Sequence, residues 1–170
     1  MKTIIIAIFI FLSGFFPVEY LCAQSEGVTT FILVRHAEKA DDGTQNPPLT
    51  DQGIQRAENL VFMLDREEIH LIYSTNTLRT MQTVKPLAEK LNLEIAHYNS
   101  RALSEFINLL LTDHNGKTIV ISGHSNTIPE TANLLLGYDY FKENFDESDY
   151  ENLLIIQHFG ETAKMVRLRF

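Results

Sequence analysis

A β-branched and aromatic run at Thr29 to Val34 gives way to helical spacing, and that alternation constrains the chain more than any other feature. The run reads as a buried strand. A loop rich in Asp, Gly, Asn and Pro follows from Ala40 to Pro48. Thr50 is then placed to cap a helix running from Asp51 to about Arg66, with Ile54, Ala57, Leu60, Val61 and Leu64 on its apolar face. Further strands are predicted at His70 to Tyr73, Leu93 to Tyr98 and Thr118 to Ser122. Further helices are predicted at Thr77 to Leu91, Leu103 to Asp113 and Ile128 to Leu136. Pro86 should kink or divide the first of these, and Gly137 should stop the last. Phe106, Leu109, Leu110 and the run Leu134 to Leu136 read as core. Leu153 to His158 and Ala163 to Phe170 read as a terminal hairpin turning at Phe159-Gly160-Glu161. Strands alternating with helices predict a three-layer α/β/α domain with a largely parallel central sheet. There is no internal repeat and no low-complexity linker.

The N-terminal residues stand apart from this pattern. Lys2 is followed by an apolar run from Ile4 to Phe16, interrupted only by Ser13 and Gly14, and then by Leu21-Cys22-Ala23-Gln24. The run is shorter than the roughly 20 residues of a membrane span. It reads as a secretory signal peptide over residues 1–23, cleaved after Ala23, with residues 24–170 forming one domain. An uncleaved anchor is the other reading, and Leu21 is large for its place before the cleavage point. The expected location is therefore outside the cytoplasm, periplasmic or secreted. Cys22 is the one cysteine of the chain. Cleavage would leave no thiol for nucleophilic or metal chemistry.

A net charge of −8 argues against a nucleic-acid footprint and against electrostatic attachment to an anionic membrane. An acidic protein that binds an anion must gather its cations at one point. Three places do so. Arg35-His36 closes the first strand, Gly123-His124-Ser125 closes the fourth, and Arg79 opens the helix after the second. Ligands of parallel sheets bind beyond the C-terminal ends of the strands. An Arg at a helix N-terminus opposes the macrodipole, which suggests a nearby anion.

Together these segments resemble the histidine phosphatase superfamily, whose fold is phosphoglycerate-mutase-like. The resemblance runs from about Thr29 to Leu136. It rests on Leu33-Val34-Arg35-His36, on Pro48-Leu49-Thr50-Asp51-Gln52-Gly53 with Gln55-Arg56-Ala57, on Ile72-Tyr73-Ser74 through Arg79 and Gln82-Thr83, and on Gly123-His124. Ala37 replaces the commoner Gly after the nucleophile, a difference of one methyl group.

The resemblance implies roles. His36 would attack phosphorus and form a phosphohistidine. Arg35 and Arg79 would hold phosphate oxygens, and His124 would donate beside them. Backbone N–H groups near Asn126 would add to the seat. These roles require no metal and no other cofactor. Glu105, in Arg101-Ala102-Leu103-Ser104-Glu105, would protonate the leaving group, with Glu38 the runner-up. Glu105 is equally readable as a solvated acid in the first turn of a helix. Ser125 stands where one branch of the family has an Asp. His70, His97, His114 and His158 read as packed or surface residues. The spacing of His36, Glu38 and His124 matches no zinc motif. Asp146, Glu147, Asp149 and Glu151 read as a solvated loop rather than a calcium site.

The implied activity is hydrolysis of a phosphomonoester, on a small phosphorylated molecule or an envelope glycan. The other readings are a phosphate-binding module of the same fold without turnover and, less favoured, a phosphomutase. The loop from Ala40 to Pro48 and the segment from Asn99 to Arg101 should set the substrate.

Overall fold

The computed structural model describes residues 27–170, so the leader expected at 1–23 lies outside the described residues. In chain order the elements are β1 (Thr29–Arg35), α1 (Asp51–Leu64), β2 (Leu71–Ser74), α2 (Leu78–Leu91), β3 (Ile95–His97), α3 (Leu103–Asp113), β4 (Thr118–Gly123), α4 (Thr127–Leu136), β5 (Asn152–Phe159) and β6 (Thr162–Arg169). They build one six-stranded sheet in the order β3-β2-β4-β1-β5-β6. The first four strands of that order are mutually parallel. The hairpin β5–β6 adds to β1 in antiparallel register and turns at Gly160, whose φ of 60° suits a two-residue hairpin turn.

The layers follow from the period of two in the strands. Phe31 and Leu33 of β1 face α3 and α4, in a core shared with Ile107, Leu110, Ile128 and Leu135. Ile32 and Val34 face α1 and α2, in a core shared with Leu60, Leu64, Val84 and Leu87. A strand apolar on both faces is what a sheet covered on both sides requires. The three-layer α/β/α expectation therefore holds.

Some boundaries differ. α2 runs through Pro86 as one helix, not two. β3 is only three residues, half the predicted run, because it pairs with β2 alone at the sheet edge. Ile54, Leu109 and Leu134 are at least a third exposed rather than core. A helix buries one stripe, and consecutive apolar residues such as Leu109-Leu110 cannot all lie on it. Thr50 caps α1 as predicted, its side chain accepting from Gly53 N at 3.1 Å. Gly53 is itself forced by packing: a Cβ there would lie 2.3 Å from Glu38 O.

Candidate functional site

β1 and β4 are neighbours, and their register sets Arg35 beside Gly123. His36 N donates to Gly123 O at 2.9 Å, which carries the pairing one residue past the strand. The two histidines that follow these strands meet edge to face, their ring centroids 5.5 Å apart. Gly123 cannot be larger, since a Cβ would lie 2.7 Å from Thr127 Oγ1 and 2.8 Å from Tyr98 Oη.

His36 is buried, 3% exposed. Its Nδ1 lies 2.8 Å from Ala37 O. A carbonyl only accepts, so Nδ1 carries the proton and Nε2 keeps its lone pair. Burial pulls the His36 pKa down to about 3, against the Ala37 hydrogen bond, and Arg35, Arg79 and His124 lower it further. The ring is neutral at neutral pH. Ala37 N is in turn held by Thr83 Oγ1 at 2.9 Å, and Thr83 Oγ1 donates to Arg79 O at 2.8 Å. One threonine thus ties the residue after His36 to the helix that carries Arg79.

His124 has the opposite tautomer. Arg79 Nη2 approaches its Nδ1 at 3.5 Å, and a guanidinium only donates, so Nδ1 is the acceptor. Its Nε2 then donates to Thr75 Oγ1 at 3.0 Å. Burial lowers its pKa to about 4, helped by Arg79 and Arg35 and opposed by Glu147.

Arg35 departs from expectation. It has no exposed surface. Its Nη1 donates to Asp146 O at 2.7 Å and Asp149 O at 3.0 Å, and its Nη2 to Glu147 O at 3.0 Å and Glu147 Oε2 at 2.8 Å. Its Cζ sits 4.3 Å from the centroid of the Tyr150 ring, which also lies 6.0 Å from His36. The planar fork expected to grip phosphate is thus committed to the loop between α4 and β5. What remains is Nε, buried and without a protein partner among the described residues. Arg79 Nε is in the same condition. Buried donors without acceptors are uncommon. Two of them beside two neutral imidazoles make a seat suited to an anion.

The other expected residues separate. Asn126 is the N-cap of α4, so the helix whose backbone N–H groups were expected to contribute does begin there, while the Asn126 side chain itself is exposed and makes no cap hydrogen bond. Glu105 is exposed in the first turn of α3 and, among the described residues, makes no hydrogen bond or ion pair with the cluster. Glu38 is engaged by Arg56, with Oε1 2.7 Å from Nη2 and Oε2 2.9 Å from Nε. Although burial opposes it, the hydrogen bonds from Arg56 hold the Glu38 carboxyl below its ordinary range. Glu38 is thus engaged as the carboxylate of the Arg56 pair. Glu147, read from sequence as part of a solvated loop, instead stands against Arg35 and accepts from Ser125 Oγ. The one signal for it was a run of acids in a protein that needs few. The remaining histidines are structural: His158 Nε2 bonds Leu135 O at 2.6 Å and His70 Nδ1 accepts from Thr118 N at 3.1 Å.

The fold and this pocket define an α/β protein with a histidine pair at the C-terminal edge of its parallel strands. The family model of the histidine phosphatase superfamily (branch 1) matches residues 31–100 of the chain. That match covers β1 through β3 and so includes His36 and Arg79. Phosphoserine phosphatase 1 of Hydrogenobacter thermophilus is 39% identical over 70 residues, 38% of this chain and 33% of that protein. The chain thus aligns with a third of the length of that relative. Solved structures extend the likeness of fold. The α-ribazole phosphatase of Shigella flexneri superposes with a TM-score of 0.69 at 16% identity, over 83% of this chain and 96% of its own. A mycobacterial glucosyl-3-phosphoglycerate phosphatase gives 0.65 at 11% identity, over 84% and 99%. The protein histidine phosphatase SixA, complexed with tungstate, gives 0.67 at 15% identity, over 82% and 96%.

Proposed function

We propose that the protein is a phosphomonoesterase working through a phosphohistidine on His36. The observation that carries this is the His36 Nδ1 bond to Ala37 O, which leaves Nε2 unprotonated and the ring neutral. A neutral imidazole nitrogen is a competent nucleophile. His36 Nε2 attacks phosphorus, the bond to the leaving oxygen breaks, and the phosphoryl group passes to the ring. Water then attacks phosphorus, and the P–N bond breaks with its electron pair returning to Nε2. Arg79, the free Nε of Arg35 and His124 would stabilise the equatorial oxygens through both steps. His124 must exchange its Arg79 contact for one to phosphate, and Nδ1 must gain a proton to donate there.

The substrate is read as small and polar. A cleft of about 480 Å³ opens beside Arg79 and Tyr150. Asp41, Asp42 and Gln45, in the loop expected to set specificity, line it together with Lys39. Such walls suit a hydrophilic leaving group, either a free metabolite or the phosphorylated end of an envelope glycan. Export rests on the apolar segment from Ile4 to Phe16, and the mass of the mature chain recovered from outside the cytoplasm tests it.

The activity test is hydrolysis of p-nitrophenyl phosphate by the protein and by His36→Ala. Turnover abolished in the variant is the expected result. Acid-quenched enzyme should also carry an acid-labile phosphoryl group on His36. Tungstate binding without turnover from about pH 4 to 8 would instead make the chain a phosphate-binding module.

A further inference from the structure

The leaving oxygen of an unactivated phosphomonoester needs a proton, and neither carboxylate expected from sequence is placed to give it. Glu38 is bound to Arg56, and Glu105 is unconnected to the cluster among the described residues. A third carboxylate is connected twice. Glu147 Oε2 lies 2.8 Å from Arg35 Nη2, and Oε1 accepts from Ser125 Oγ, the residue directly after His124. Phe145 N also donates to Ser125 O at 2.9 Å, so backbone and side chain of Ser125 both hold this loop. Despite these bonds the Glu147 side chain is 71% exposed, so one face stays open to an incoming molecule. Arg35, Lys39, His36, His124 and Arg79 all lie within range of its charge.

We propose that Glu147, carried by the loop between α4 and β5 and held by Ser125, is the proton donor to the leaving group. This rests on the phosphatase reading above. Before substrate binds, the Ser125 bond and the nearby cations hold the carboxyl below its ordinary range, with burial opposing them. A phosphate dianion settling on Arg35 and Arg79 changes the balance. It shares a cation with Glu147, and a like charge disfavours the carboxylate. A proton is then taken up as substrate binds. As His36 Nε2 bonds to phosphorus, the leaving oxygen departs with the electron pair of the broken P–O bond and receives that proton. In the second step the Glu147 carboxylate accepts a proton from the attacking water. Inorganic phosphate leaves and Glu147 is protonated again. The Ser125 hydroxyl orients the acid, so a loop distant in sequence supplies the carboxylate that a neighbouring Asp would otherwise provide.

The test compares Glu147→Gln with the unmodified protein on two substrates. One is p-nitrophenyl phosphate, whose leaving group needs little help. The other is glycerol 2-phosphate, whose alkoxide needs a proton. The expected result is a loss on the order of 100-fold in kcat/KM on glycerol 2-phosphate, the usual scale of general acid catalysis, with kcat/KM on p-nitrophenyl phosphate little changed, because kcat/KM reads the phosphorylation step alone and not the hydrolysis that both substrates share. Glu147→Asp should restore part of the loss. The fall in rate on the alkaline side of the glycerol 2-phosphate profile should disappear in Glu147→Gln. Equal losses on both substrates with a lowered Tm would make Glu147 a latch for Arg35, and a gain on both would make it a plug; either overturns the proposal. So would a selective loss in Glu105→Gln that Glu147→Gln does not show. If the unmodified protein turns over neither substrate, the phosphatase reading fails by itself. Glu147 is then judged by calorimetric tungstate binding in buffers of different ionisation enthalpy. Uptake of roughly one proton more by the unmodified protein than by Glu147→Gln supports the coupling. Equal uptake overturns it.

Discussion

The pocket has two walls of different origin. One is made at the ends of β1 and β4 and the start of α2, and carries His36, His124 and Arg79. The other is the loop at 145–150 between α4 and β5, and carries Glu147 and Tyr150. The first wall is placed by short-range rules: an apolar strand ends, and the next polar residue sits at the sheet edge. The second is placed by Arg35, which reaches across more than 110 residues of sequence to bind three loop carbonyls. Chemistry-bearing residues on a strand end announce themselves, whereas a loop gathered by a buried cation does not.

The sharpest way to separate the walls is to remove His36, the proposed nucleophile. His36→Ala should lower kcat on p-nitrophenyl phosphate by about a thousandfold or more, with the Tm close to that of the unmodified protein. Such a result would place the first wall on the side of chemistry rather than stability. Arg35→Ala should affect both. Four charge-assisted hydrogen bonds are lost and three loop carbonyls are left unpaired, so stability to urea should drop by about 3 kcal/mol, with activity lost as well. An activity loss without destabilisation would mean that Arg35 serves phosphate and not the loop.

The sequence showed the first wall well for physical reasons. The alternation of β1, α1, β2 and α2 is visible as periodicity, and strand ends map to a sheet edge without knowledge of tertiary contacts. Gly53 and Gly123 matched the family before their reason was visible, which is that a Cβ would strike Glu38 O in one case and Thr127 Oγ1 in the other. What could not be read was which charges pair. Glu38 and Glu147 are both acids near Arg-rich segments. Only the packing of α1 brings Arg56 to the first, and only the path of the chain after α4 brings Arg35 to the second. Pro86 does not divide α2 for a related reason: a helix loses one hydrogen bond to proline, and its packing over the sheet with Val84 and Leu87 buried outweighs that loss.

Smaller effects sharpen the same contrast. Gly53→Ala should destabilise by about 1–3 kcal/mol in denaturant titration, because a methyl must displace the Glu38 backbone. The two site histidines should make stability pH-dependent. Their pKa values fall from about 6.5 in the unfolded chain to about 3 and about 4 in the folded one. The unfolded chain therefore binds protons first. Stability is full above about pH 6.5 and is lost as the pH falls through that value toward about 3. Urea midpoints at pH 7 and pH 5 check this, and His36→Gln with His124→Gln should flatten the difference. Glu38→Gln should have the least effect: a modest loss of stability from the weakened Arg56 pair, and no change in the ratio of rates between good and poor leaving groups. A changed ratio would return Glu38 to the proton-donor role.

The grip of Arg35 on the loop also sets an order of assembly. During synthesis β1, with its histidine, leaves the ribosome early, but the carbonyls that receive the Arg35 guanidinium emerge only after α4. β5, which flanks β1 on its other side, comes later still. Until then a buried guanidinium has no acceptors and the strand that carries the nucleophile has an open edge. A nascent or truncated chain ending before Asp146 would hold every motif residue of the strand-end cluster and still lack a finished pocket. On the phosphohistidine reading, phosphoryl transfer therefore requires the segment from Asp146 into β5 as well as the strand-end cluster.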